Sequence, residues 1–219
     1  TDPKGTETTI QKHPWGSFKV GSSVTMKNSG MGVMSEMKMT LVNLDADFAT
    51  VKSEMKMGEN TMPATEMKMA LKGYATMAGS TVKELSKKNE DLKIGDKTFA
   101  CEAIEIEETT TAGSCVRTTW YCKDAPTGVL QVVAKMKMGE TETTSKTTVT
   151  KLEDAVTVAG KELKCIVFET VSDGAMGKST SKLWQTDQIP GFSAKMETEM
   201  KIGENTMKTT MEVIAFEVK

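Results

Sequence analysis

This sequence predicts an all-β protein, about twelve antiparallel strands in a curved meander, and three observations predict it. One segment is written three times along the chain. The landmarks around that segment keep a fixed spacing. Within each unit, apolar and polar residues alternate with the period of two that belongs to a strand.

The repeat comes first. Glu54-Met55-Lys56-Met57-Gly58-Glu59-Asn60-Thr61-Met62 recurs as Glu199 to Met207, with Met57 replaced by Ile202. Lys135-Met136-Lys137-Met138-Gly139-Glu140-Thr141 is a third occurrence. The interval from Trp120 to Gly139 equals that from Trp184 to Gly203. Pro126 and Pro190 keep a second common interval to those glycines, and Cys101 and Cys165 keep one to their tryptophans. Ile94-Gly95-Asp96-Lys97-Thr98-Phe99 matches Ala159-Gly160-Lys161-Glu162-Leu163. The units therefore span 19–73, 93–152 and 158–217 of a single β domain. Unit one is degraded: Met39 stands at the tryptophan position and Asp45 at the proline position. A divergent terminal unit is what caps a repeat array.

Each unit is expected to hold four strands. In unit one these are about 19–27, 33–42, 47–57 and 61–72. In unit two they are about 97–108, 114–122, 128–138 and 142–152, and in unit three about 161–171, 178–186, 192–202 and 206–217. The runs are rich in Thr and Val, as strands prefer. Gly-Glu-Asn-Thr and Thr-Ala-Gly-Ser between them are turn sequences. Residues 74–92 are expected to be a linker, with one helical turn at 82–89, and residues 1–18 an extended tail. A meander this long has to curl to cover its apolar face. A half-barrel or open barrel does so; a sandwich and a β-trefoil are the alternatives.

Composition narrows the function. The chain has 219 residues, a formal charge of −2 and 26% charged residues. Among its 28 basic residues Arg117 is the only arginine, which argues against nucleic acid or phosphoryl ligands. No apolar run approaches the ~18 residues that span a membrane. A start at Thr1, four cysteines and one histidine point to a processed, extracytoplasmic protein at the cell surface, in the medium or in the periplasm.

Trp120, Pro126-Thr127-Gly128-Val129 and Gly139, repeated as Trp184, Pro190-Gly191-Phe192 and Gly203, form a strand, a corner and a second strand. This pattern resembles periplasmic lipoprotein-carrier (LolA-like) proteins. The resemblance implies a curved antiparallel half-barrel with a concavity for acyl chains. It assigns no functional residue.

Several groups carry candidate chemistry. Met37/Met39, Met55/Met57, Met67/Met69 and Met136/Met138 are Met-x-Met pairs among 18 methionines, and Met196 and Met200 continue the theme. On a strand both members of a pair share one face. The bland reading is core packing. An adaptable apolar ligand face and a soft Cu(I) site are the sharper ones. Trp120 and Trp184 belong to the same candidate face as corner packing or ligand platforms. Cys101 and Cys122 lie on two arms of one hairpin and form the candidate disulfide, leaving Cys115 and Cys165 to pair or stay free. His13 sits in the tail without a partner for catalysis. Glu102, Glu105, Glu107 and Glu108 read as a solvated strand face. No cofactor or metal is expected.

Taken together, these features predict a non-enzymatic exported protein. The leading expectation is self-assembly with other copies, by donation of an N-terminal strand (Thr6, Thr8, Ile10, Trp15) to a sheet edge. The alternative is a carrier of lipid or another apolar ligand in a Met-lined concavity.

Overall fold

In a computed structural model, residues 13–30, 32–71, 80–175 and 177–219 are described. They form fourteen strands in one open antiparallel sheet. These are β1 (Ser23–Gly30), β2 (Val33–Leu44), β3 (Phe48–Met57), β4 (Asn60–Thr61), β5 (Thr65–Ala70), β6 (Thr81–Ile94), β7 (Lys97–Thr110), β8 (Gly113–Tyr121), β9 (Val129–Met138), β10 (Thr141–Val158), β11 (Lys161–Gly174), β12 (Gly177–Gln185), β13 (Ser193–Ile202) and β14 (Asn205–Glu217). A single curved sheet excludes the trefoil and the sandwich. No helix among the described residues is long and apolar enough to cross a membrane.

The sheet reports the repeat directly. β7, β8 and β9 begin at Lys97, Gly113 and Val129, and β11, β12 and β13 begin at Lys161, Gly177 and Ser193, with the same offset each time. Gly113 and Gly177 mark the same place in both units. A Cβ at either would lie 2.1 Å from the carbonyl oxygen of Lys137 or Lys201, so only glycine lets the backbones approach there.

Strand order runs β4-β3-β2-β1-β14-β13-β12-β11-β10-β9-β8-β7-β6, with β5 also on β3. Neighbouring units are joined by a shared strand. Thr144–Thr148 of β10 pair with β9 on one side and β11 on the other. Between units three and one, β14 does the same for β13 and β1. Between units one and two the shared strand is divided. β4 and β5 pair with β3, whereas β6 pairs with β7. This division turns the twelve expected strands into fourteen. Pro63 interrupts the first piece, because proline has no N–H for the ladder. Across it the register moves by one residue, from Met57↔Asn60 (57 and 60 sum to 117) to Ser53↔Thr65 (53 and 65 sum to 118).

Two expectations are corrected. Residues 81–94 form β6 rather than linker and helical turn; residues 74–79 lie outside the described residues. Local helix propensity is a weak prior, and a formed neighbour strand outweighs it. β7 supplies that neighbour, and Lys87 Nζ–Glu102 Oε1 (2.9 Å) and a Ser86–Glu105 hydrogen bond (3.1 Å) dress the pairing. The described part of the tail, residues 13–18, is a run of turns and not an extended strand.

Two core clusters also repeat at this offset. Phe99, Cys101, Ala125, Leu130 and Val149 pack in one, and Leu163, Cys165, Ile189, Ala194 and Val213 pack in the other. The second also takes in Val24, Met26, Leu41 and Val51 from β1–β3, so distant strands meet and the sheet is curved. Residues 13–18 tie this curve together. Trp15 is 2% exposed. A Cβ on Gly191 would sit 3.4 Å from its ring, and one on Gly16 would sit 3.4 Å from Leu71 Cδ2, just beyond β5. Gly191 N–H donates to Pro14 O (3.0 Å), and Phe18 meets Phe192 edge-on at 6.3 Å.

Removing this tie has a measurable consequence. Trp15→Ala is expected to lower unfolding free energy by about 3–5 kcal/mol, the range for a large aromatic deleted from a core. Urea unfolding followed by far-ultraviolet dichroism checks it. A loss below about 1 kcal/mol, the level of an ordinary surface change, contradicts the assigned role.

Candidate functional site

Directly opposed residues on antiparallel strands share a face. Between the bulges, the register therefore carries one face across the whole sheet. Met55↔Met37↔Met26↔Val213 is one row of it, and Val149↔Phe168↔Leu183↔Met196↔Met211 is another. Met57 and Met39 lie on this face through Ser35 and Val24, and Met67 and Met69 through Val51 and Ala49. Met136, Met138 and Met200 lie on it through Thr143, Thr141 and Ser179. All ten methionines named from the sequence thus point one way. A hydroxyl row accompanies them: Thr147 bonds Thr170 (2.8 Å) and Ser181 bonds Thr198 (2.8 Å). The cores gathered from distant strands draw on this face through Val24, Met26, Leu41, Val51 and Val149, and on the other through Ala103 and Trp120.

Exposure is high beside the turns and on the edge strand β5, where Met67 is 59% exposed. Met57, Met138 and Ile202 occupy equivalent positions just before Gly58, Gly139 and Gly203, and they are 42%, 54% and 44% exposed. Met37, Met39, Met69 and Met196 are partly buried against the core. The interleaved Lys56, Lys68 and Lys137 pair with Glu36, Thr50 and Glu142 on the other face.

Trp120 and Trp184 are core residues at the sheet corners: Trp120 is buried in the cluster of Leu130 and Val149, and Trp184 packs against the other cluster, as do Met37, Met39, Met69 and Met196. In register the tryptophans pair with Gln131 and Lys195 on the opposite face. Trp120 Nε1–H donates to Glu90 Oε2 (3.2 Å) and Trp184 Nε1–H to Asp154 Oδ2 (2.8 Å). Glu90 and Asp154 hold matching places in the repeat, so the whole indole–carboxylate unit is repeated. Trp184 and Asp154 border a cleft of about 360 Å³ with Val156, Lys195 and Glu212, and the Lys195 ammonium lies 5.3 Å from the indole centroid. The Trp184 bond, with Lys151 beside it, holds the Asp154 carboxyl below its ordinary range. Glu90 is lowered first by Lys88 and then by Trp120.

The remaining candidates are placed as follows. Cys101 and Cys122 are bonded, with Cα atoms 4.2 Å apart. Cys115 and Cys165 are free thiols, and burial pushes Cys165 up to about 11. His13 accepts the Trp15 N–H at Nδ1 (3.2 Å), and burial lowers its pKa. Thr6, Thr8 and Ile10 lie outside the described residues, whereas Trp15 is core. Among the described residues no three His, Cys, Asp or Glu are grouped to hold a metal.

One expectation about the glutamates is corrected, and one feature was missed. Glu108 is buried rather than solvated, because it stands on the methionine face opposite Cys115. Arg117 stands on the same face opposite Ile106 and Ala134. The alternation Ile104, Ile106, Glu108 carried the signal for Glu108, since all three share a parity.

The indole–carboxylate unit has a pH signature. A carboxyl lowered in the fold stabilises it above the ordinary pKa near 3.8, and that contribution fades as pH falls through the lowered value. In Trp184→Phe the Asp154 pKa is expected to rise toward the ordinary value, read by carboxyl-carbon NMR titration. An unchanged Asp154 titration removes the indole as its cause.

No protein-family model matches this chain, and no curated protein matches it. Two solved structures are similar to it. One, described as a lipoprotein from Parabacteroides distasonis ATCC 8503, has 7% identity and a TM-score of 0.46, over 94% of this chain and 99% of that one. The other, described as an exported protein with a YmcC-like fold from Bacteroides fragilis NCTC 9343, has 6% identity and a TM-score of 0.45, over 91% and 97%.

Proposed function

We propose that this protein is an exported, non-enzymatic carrier that holds an apolar guest of lipid type against its methionine face. One observation carries the reading: ten methionines from five strands lie on one face of a curved sheet, with Met57 and Met138 exposed beside the turns and Met67 exposed on the edge strand β5. Methionine is unbranched and polarizable, so a surface made of it can fit chains of varied shape. Scattered exposed apolar residues are ordinary, but a face organised by register suits a binding surface. The lipoprotein-carrier resemblance of the Trp–Pro–Gly corners points the same way. The Cys101–Cys122 bond favours an oxidising compartment. The groups best suited to catalysis have structural partners: His13 serves Trp15, and Asp154 and Glu90 serve the indoles.

Assembly with other copies is the second reading. The two sheet edges favour it, because β5 and β6 each lack a strand neighbour on one side among the described residues. Burial of Trp15 and Phe18 in their own core confines any donated strand to residues before His13.

The carrier reading is tested with a dansylated C11 fatty acid as probe. Fluorescence titration is expected to show binding that Met57→Lys with Met138→Lys weakens at least tenfold, while unfolding midpoints stay within error. Absence of probe binding to the unmodified protein, or equal binding to the double variant, rejects it.

A further inference from the structure

We propose that the outer edge of β6 is an acceptor for one extended strand, and that residues 6–11 of a second copy of this chain fill it, with Ile10 covering Leu85. This rests on the assembly reading and is independent of the carrier reading.

The repeat shows what is missing at β6. Leu85, Val149 and Val213 hold corresponding positions of successive units. Leu85 falls at the bulge between Glu84 and Ser86, and Val149 stands beside the one before Lys151. Val149 and Val213 are 1% and 5% exposed, yet Leu85 is 42% exposed. The difference lies in their neighbours. β10 pairs with β9, and Val149 shares a cluster with Leu130 of that strand. β14 pairs with β13, and Val213 shares a cluster with Ala194. The strand that would play this part for β6 is β3, but its edge is already engaged by β5. Leu85 is therefore an apolar residue at a core position that no strand covers among the described residues.

Direction decides what can fill the gap. β5 pairs antiparallel with β3 and β6 with β7, and both edge strands run from the Gly58 end of the sheet toward the Pro126 and Pro190 end. They run in the same sense, so they cannot pair antiparallel with one another. A strand added to the outer edge of β6 in the antiparallel manner of every other pairing in this sheet would run in the opposite sense to β6.

The occupant follows from the tail. As a strand, residues 6–11, Thr-Glu-Thr-Thr-Ile-Gln, would put Thr6, Thr8 and Ile10 on one face. That face offers one apolar residue for Leu85 and two hydroxyls to extend the Thr/Ser row. A segment of the same chain that led straight into His13 would not have the required sense. Trp15 and Gly16 are fixed beside Gly191 and Leu71, at the end toward which β5 runs. A segment leading into His13 along this gap would run parallel to β5 and β6. The proposed donor is therefore another copy, joined by strand addition.

Cysteine crosslinking of the full-length chain tests this, in a Cys115→Ser background. Leu85→Cys protein and Ile10→Cys protein are mixed and mildly oxidised. A disulfide-linked dimer is expected only in the mixture, and Leu85→Asp is expected to weaken self-association at least tenfold by light scattering. Oligomers that form with no crosslink in the mixture would keep assembly but overturn this edge and this donor. A dimer from Leu85→Cys alone overturns the donor in favour of edge-to-edge pairing. Monomers at every concentration overturn assembly itself.

Discussion

The antiparallel register is the constraint on which everything else depends. Side chains alternate between faces, so a slip of one residue would send every methionine of a strand to the charged side and its lysines to the core. Met26, Met37 and Met55 stand directly opposite one another across three strands, and the Glu36, Lys56 and Lys38 set is thereby committed to the other face. Apolar burial enforces that choice, because the rows continue into Val24, Leu41 and Val51 of the core. The face is thus a consequence of folding, and the binding proposed for it requires no further rearrangement of the strands.

The two tryptophans serve this register from the cores at the sheet corners. Each sits beside a bulge, where the pairing shifts between Trp120 and Tyr121 or between Trp184 and Gln185. A bulge bends its strand and raises local twist. An indole packed there and bonded to a carboxylate earlier in the chain holds the bend in one geometry. The partly buried donor is satisfied, which a phenylalanine could not do for its carboxylate partner. Two of the sheet's bulges are therefore braced by an indole, whereas unit one, with Met39 and Asp45 at those positions, has its β2–β3 bulge between Leu41 and Asn43 without that brace.

Much of this was legible in the sequence, and what was not has physical causes. The repeat, the strand period and the shared face of each Met-x-Met pair follow from spacing alone. The face of Trp120 was not legible, since it depends on the turn and bulge that set β8 against β9. β6 was hidden for another reason. Val82-Lys83-Glu84-Leu85-Ser86-Lys87-Lys88-Asn89 has almost no apolar alternation, because both of its sides are largely exposed over most of this stretch. Its strand conformation comes from β7 rather than from its own residues. Trp15 escaped as core because a short run between Pro14 and Gly16 carries no periodicity.

Unit one explains why the tail is needed. β7 and β11 are long strands of equal length, and their first halves contribute Phe99 and Cys101, or Leu163 and Cys165, to a core. β1 is much shorter and begins only at Ser23, so unit one lacks that half-strand. Trp15 and Phe18 fill the corresponding demand from outside the sheet, in the core that units one and three share. The degraded unit is therefore completed by a segment that is not part of the repeat. That arrangement closes the junction between the first and last units. It leaves the junction between units one and two, where the shared strand is divided, as the place where the sheet stays open.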